Sequence, residues 1–133
     1  MTSNRENSER YARELMELAQ RDEVAFQVLI KSSQVDFSII GFHAQQAVEK
    51  SIKSVLTRHE LEFPFTHDLV ALHNILVDAQ IPNPFQKAEI KRLTPYAVTS
   101  RYDLERDEIL DETQAQAMVA LAMAWATKII LSK

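Results

Sequence analysis

Residues able to do chemistry gather in three short stretches of this chain. In the first, His43, Gln46, Lys50 and Lys53 recur at helical spacing. At about 100° per residue they fall on one side of a helix. Two ammonium groups, an amide and a titratable imidazole suit phosphate groups and the edges of bases. The same pattern suits an ordinary solvated helix face, which composition alone favours. Ile39 lies on that side with Phe42 beside it, so cover by a second subunit is a third reading. The second stretch is Thr66-His67-Asp68. There His67 could contact a nucleotide or transfer a proton with Asp68 orienting it. Alternatively, Thr66 caps a helix and Asp68 meets its dipole. The third stretch is Arg101-Tyr102. Its guanidinium could grip phosphate through a planar fork, with Tyr102 stacking or supporting. It could equally pair with a neighbouring carboxylate, or bridge to Glu49.

Several chemistries drop out on composition. There is no cysteine among the 133 residues, which removes disulfides, thiolate zinc sites and a cysteine nucleophile, and fits a reducing cytoplasm. With one glycine, no glycine-rich phosphate cradle can form. No His-x-x-x-His or His-Glu helical spacing occurs, so no metal site is expected, and no cofactor either. Trp125, Met118 and Met123 read as core or dimer surface. A net charge of −4 argues against a broadly basic DNA-binding domain. The opening residues hold no apolar run, so no signal peptide is expected. The longest apolar run, 118–126, is about half of the roughly 20 residues that cross a bilayer. A cytoplasmic protein without a membrane segment is the expectation.

Elements to position these groups follow from periodicity. Apolar residues make up 46% of the chain, with one Gly and four Pro, a composition for helix rather than sheet. A first helix is predicted over 8–33, with Tyr11, Leu15, Leu18, Ala25 and Leu29 as its apolar side. Asp36 should cap a second helix ending near Glu60, where Phe63-Pro64-Phe65 forces extended chain. Its inner side is Phe37, Ile40, Ala44, Ala47, Val48, Ser51, Ile52 and Val55. Gly41 either lets the first helix approach closely or is incidental. Thr66 should cap a third helix over 67–79, and Ile81-Pro82-Asn83-Pro84 reads as a loop. A fourth helix over 85–100 should break at Pro95. An acidic connector over 101–112 leads to a last helix over 112–131, opened by an Asp111-x-x-Gln114 box. That last helix is apolar most of the way round, which places it centrally or beneath a second subunit, and in so small a domain both together. The prediction is one domain over 1–133: all-α, an up-and-down antiparallel four-helix bundle with one broken helix, five helices in all.

Four blocks then carry a resemblance. They are Phe42-His43-Ala44-Gln45-Gln46-Ala47-Val48-Glu49-Lys50-Ser51-Ile52-Lys53, Thr66-His67-Asp68-Leu69, Leu93 with Tyr96-Ala97, and Ser100-Arg101-Tyr102. In this order they resemble the HEPN domain family of prokaryotic helical-bundle proteins, over about residues 11–131. The resemblance implies a homodimer. It also implies a co-encoded minimal nucleotidyltransferase as partner, within a toxin–antitoxin pair or as a nucleotide- or substrate-binding subunit. Another branch of the family consists of metal-independent ribonucleases, marked by an Arg followed after four to six residues by a His. No His falls in that window after Arg58, Arg92, Arg101 or Arg106. The expected role is therefore a non-catalytic binding partner; the alternative is a ribonuclease toxin with a non-standard site.

Overall fold

Helix formers dominate the chain, and helices result. The computed structural model describes residues 4–97 and 110–131. Among them lie α1 (Asn4–Leu29), α2 (Phe37–Arg58), α3 (Leu69–Asp78), α4 (Lys87–Leu93), a 3-10 turn (Thr94–Ala97) and α5 (Glu112–Ile130). The described residues form an all-α bundle, and none of its helices is long and apolar enough to cross a membrane. Arg101, Tyr102 and most of the acidic connector lie outside the described residues.

Caps set most of the boundaries. Asp36 accepts from the Ser38 amide at 2.8 Å and starts α2 as expected. Asp111 and Gln114 exchange side-chain and backbone bonds in a complete capping box at the head of α5. The cap of α3 differs from expectation: Asp68, not Thr66, accepts the Val70 amide at 3.0 Å. Thr66 instead accepts from the Asp68 amide in a local turn. α1 runs from 4 to 29 rather than 8 to 33. An Arg5–Glu9 pair one turn apart supports its start. At its far end Ser32 draws the Gln34 amide into a turn that competes with helix.

The ends of α2 and α3 share one device. Glu60 and Gln80 adopt φ of 58° and 59°, the left-handed position usually given to glycine. The amide after each reaches back five residues, Leu61 to Leu56 at 3.0 Å and Ile81 to Leu76 at 2.9 Å. Pro95 divides the fourth element as predicted: regular helix stops at Leu93 and the next four residues tighten into the 3-10 turn. Thr94 locks this break, donating to the Ile90 carbonyl and accepting the Leu69 amide. The head of α3 is thereby tied to the end of α4.

The single glycine has a definite role, and it concerns Tyr96 of the 3-10 turn. A Cβ at Gly41 would sit 2.4 Å from Cδ1 of Tyr96, so the bare backbone is what lets that ring lie flat on α2. Phe37 meets the same ring edge-on at 5.6 Å. Tyr96 is buried, and burial raises its phenol above the usual range.

Two expectations about packing change. The central helix is α2 rather than α5: it packs against α1, α5, α3 and the 3-10 turn, with buried residues all along its length. α5 reads as apolar all round because its outer side carries alanines together with Leu121. Ala117, Ala120 and Ala124 are exposed there, and a methyl gains little from burial. α1 is rotated by about one residue from the predicted side. It buries Ala12, Met16, Ala19, Asp22 and Phe26, while Tyr11 and Leu18 are 53% and 40% exposed. Small residues at Ala12 and Ala19 let α1 approach α2 closely, and burying Phe26 outright contributes roughly 1.5–3 kcal/mol. The inner side of α2 holds as predicted, with Ala44, Ala47, Val48, Ile52 and Val55 wholly buried.

Candidate functional site

The polar side of α2 does not face open solvent. His43, Gln46, Lys50 and Lys53 are all partly buried, and each is engaged by another side chain. Two carboxylates organise them. Asp22 of α1, its side chain 12% exposed, bonds Nδ1 of His43 through Oδ1 at 3.0 Å. Its Oδ2 takes the Lys50 ammonium directly. This centre joins the two longest helices across the groove between them.

Glu49 of α2 forms the second centre. Its carboxylate, 4% exposed, accepts from Lys53 Nζ at 3.0 Å, one turn along the same helix. It also takes Gln45 Nε2 at 2.9 Å and Nδ1 of His67 at 3.0 Å and 3.1 Å. Gln45 reaches further, donating to the His67 carbonyl at 3.1 Å, and Gln46 closes the chain by donating to Gln45 Oε1 at 2.6 Å. A carboxylate this deep needs such company, because an unpaired buried charge costs several kcal/mol. The extended segment that carries His67 is thereby fastened to α2 at both its imidazole and its backbone.

Predicted site residues thus divide. His43 and Lys50 meet at Asp22; Lys53 and His67 meet at Glu49; Gln46 bridges toward the second centre through Gln45. Asp68 takes no part in orienting His67: its carboxylate is committed to the first turn of α3. Arg101 and Tyr102 lie outside the described residues, so the pairing of Arg101 with Glu49 is not observed. Sequence reading missed Asp22 and the central place of Glu49. Both left a signal. Asp22 continues the Ala12, Met16, Ala19, Phe26 side of α1, and Glu49 and Gln45 lie one turn apart beside Val48 and Ile52. A carboxylate in the phase of a buried stripe needs a cation or imidazole from elsewhere.

Around Glu49 the cluster opens outward. The His67 side chain is 58% exposed, and Phe65 is 100% exposed. Lys53 Nζ lies 5.9 Å from the Phe63 ring centre and 6.0 Å from that of Phe65. The His67 ring stands 6.2 Å from Phe65. Chemically, an imidazole whose Nδ1 is held by a buried carboxylate presents its other nitrogen outward, able to donate or accept a hydrogen bond.

The remaining histidines lack this arrangement. His73 is buried on α3, with no hydrogen-bond partner for Nδ1 among the described residues. Burial holds it below its ordinary value. It meets Phe85 edge-on at 6.4 Å. Phe85 in turn meets Trp125 at 5.1 Å, and Trp125 Nε1 donates to the Pro82 carbonyl at 2.8 Å. Burial, then the neighbouring Arg58, lowers His59 as well. No group of three or more His, Asp or Glu side chains among the described residues is placed to hold a metal ion.

A family model described as HEPN domain matches residues 10–126 of the chain. No match was found among curated proteins or among solved structures.

Proposed function

The chain belongs to the HEPN domain family, and from that premise we propose that it is a non-catalytic binding partner of a minimal nucleotidyltransferase. It acts as a homodimer and holds a nucleotide, or the nucleotide-bearing substrate, for that enzyme, within a toxin–antitoxin pair or as a substrate-binding subunit. The observation that carries this reading is the array along α2, completed by Asp22 of α1 and His67 of the segment before α3: two carboxylates hold two ammonium groups and two imidazoles in fixed positions. Fixed cationic and imidazole donors lose little entropy on meeting phosphate. A co-encoded nucleotidyltransferase that co-purifies with this chain, together with nucleotide binding by calorimetry, is the expected result. Failure of both removes the proposal.

Support for a second copy comes from apolar residues left outside the bundle. Tyr11, Leu18, Val24 and Val28 of α1 and Leu121 of α5 are all at least 40% exposed, and such surface favours association. Mass measurement in solution should give a dimer, and Val24→Glu with Val28→Glu should shift it toward monomer.

A second reading rests on the Glu49–His67 pair alone. A buried carboxylate holding a half-exposed imidazole is an arrangement used for proton transfer, so His67 would serve as acid or base in RNA cleavage. RNA cut by the purified protein, and left intact by His67→Ala, would establish that reading over the first.

A further inference from the structure

Phe65 is the most exposed large apolar side chain among the described residues. Three neighbours stand beside it. Pro64 restricts the backbone before it, the Lys53 ammonium sits 6.0 Å from its ring centre, and the His67 ring meets it at 6.2 Å and 60°. Lys53 faces the Phe63 ring from 5.9 Å as well, so one cation serves both aromatic rings of the Phe-Pro-Phe segment. Glu49 fixes that cation and the imidazole together. What flanks Phe65 is therefore Phe63 together with a cation and an imidazole, rather than a broad apolar patch of the kind that packs against another protein.

We infer that Phe65 is a stacking platform for the base of a nucleotide, with His67 beside it for the phosphate. The inference rests on the nucleotide-binding reading above and names the part of the ligand that reading left open. Two properties of the site select this class. An exposed ring already backed by an ammonium repels a second cation, which excludes the quaternary amines that aromatic cages take. A planar base stacks on such a ring whatever its edge pattern, and the exposed imidazole next to it suits an anion. A flat aromatic body joined to an anionic group is a nucleotide. Because Phe65 touches no core residue, its replacement should leave the fold intact.

Calorimetric titration of the full chain with ADP, GDP and inorganic pyrophosphate tests this. Expected is binding of ADP and GDP that weakens on the order of tenfold in Phe65→Ala, is kept in Phe65→Tyr, and is paralleled by no change for pyrophosphate. Circular dichroism and thermal melting of Phe65→Ala should match the parent chain. If Phe65→Ala binds both nucleotides as tightly as the parent while His67→Ala does not, the stacking role is overturned and the nucleotide-binding reading survives. If the parent chain binds neither nucleotide, both the stacking role and that reading fall.

Discussion

Asp22 and Glu49 are both buried carboxylates, each holding one lysine and one histidine, yet they do different work. Asp22 reaches between helices, its partners lying 21 and 28 residues away. Both of those side chains are about one-quarter exposed, His43 at 27% and Lys50 at 24%. That centre is a clamp between α1 and α2, its histidine about half as exposed as His67 of the other centre. Glu49 draws Gln45 and Lys53 from its own helix and spends its remaining capacity on His67, an imidazole more than half exposed. The lesson is that the same pair of residue types serves cohesion where its histidine is covered and display where its histidine is open.

Substitutions can break or sharpen this contrast. The largest effect belongs to Glu49→Ala, which leaves Lys53 and Gln45 without their acceptor and frees the His67 segment. It should cost about 3–5 kcal/mol in denaturant unfolding. Asp22→Asn keeps an acceptor for His43 but removes the countercharge of Lys50. Because Lys50 can extend to water, the loss should be about 1–2 kcal/mol. An Asp22→Asn loss as large as that of Glu49→Ala would erase the distinction in depth.

Histidine 73 supplies a control with no carboxylate at all. Its folded-state value lies below the ordinary 6.5 because of burial. On acidification the unfolded chain therefore takes up this proton first. Stability is full above the ordinary value and is lost as the pH falls through the lowered folded-state value. Unfolding free energies between pH 7 and about 5 should decline, and His73→Leu should flatten part of that slope. His59, lowered in the same sense, contributes to the slope that remains.

Smaller still is the effect of His67→Ala on stability, which should stay under about 1 kcal/mol because the imidazole is mostly exposed and Glu49 keeps Lys53 and Gln45. Its effect on nucleotide binding should be far larger. A stability loss rivalling Glu49→Ala would make His67 structural. Last, Asp22→Asn combined with Glu49→Gln should be additive to within about 0.5 kcal/mol if the centres act independently. A clear departure would mean that the Gln46–Gln45 link couples them.

Much of this bundle was legible in the chain. Helix content, the Asp36 and Asp111 caps, the Pro95 break and the inner side of α2 all depend on neighbours within a few residues, where spacing and capping chemistry act locally. The phase of α1 was not legible. Tyr11 and Leu18 look like the apolar side, but Ala12 and Ala19 take that place because small residues permit close helix approach, with Met16 and Phe26 filling the space between them. The centrality of α5 was overread for a related reason, since its exposed alanines count as apolar in a pattern although they lie outside the bundle.

For the candidate site, the sequence by itself determined the inventory and half the geometry. His43, Gln46, Lys50 and Lys53 share a side of α2 because a helix repeats every 3.6 residues, and no tertiary contact was needed to say so. Only the tertiary structure decided what those groups face. Asp22 comes from another helix, and His67 from an extended segment eighteen residues after Glu49. Spacing along one helix cannot specify the rotation of the next. The phase of α1 set Asp22 against His43 and Lys50, and the extended segment before α3 set His67 against Glu49, which turned a stripe of polar residues into one interhelical clamp and one more open site.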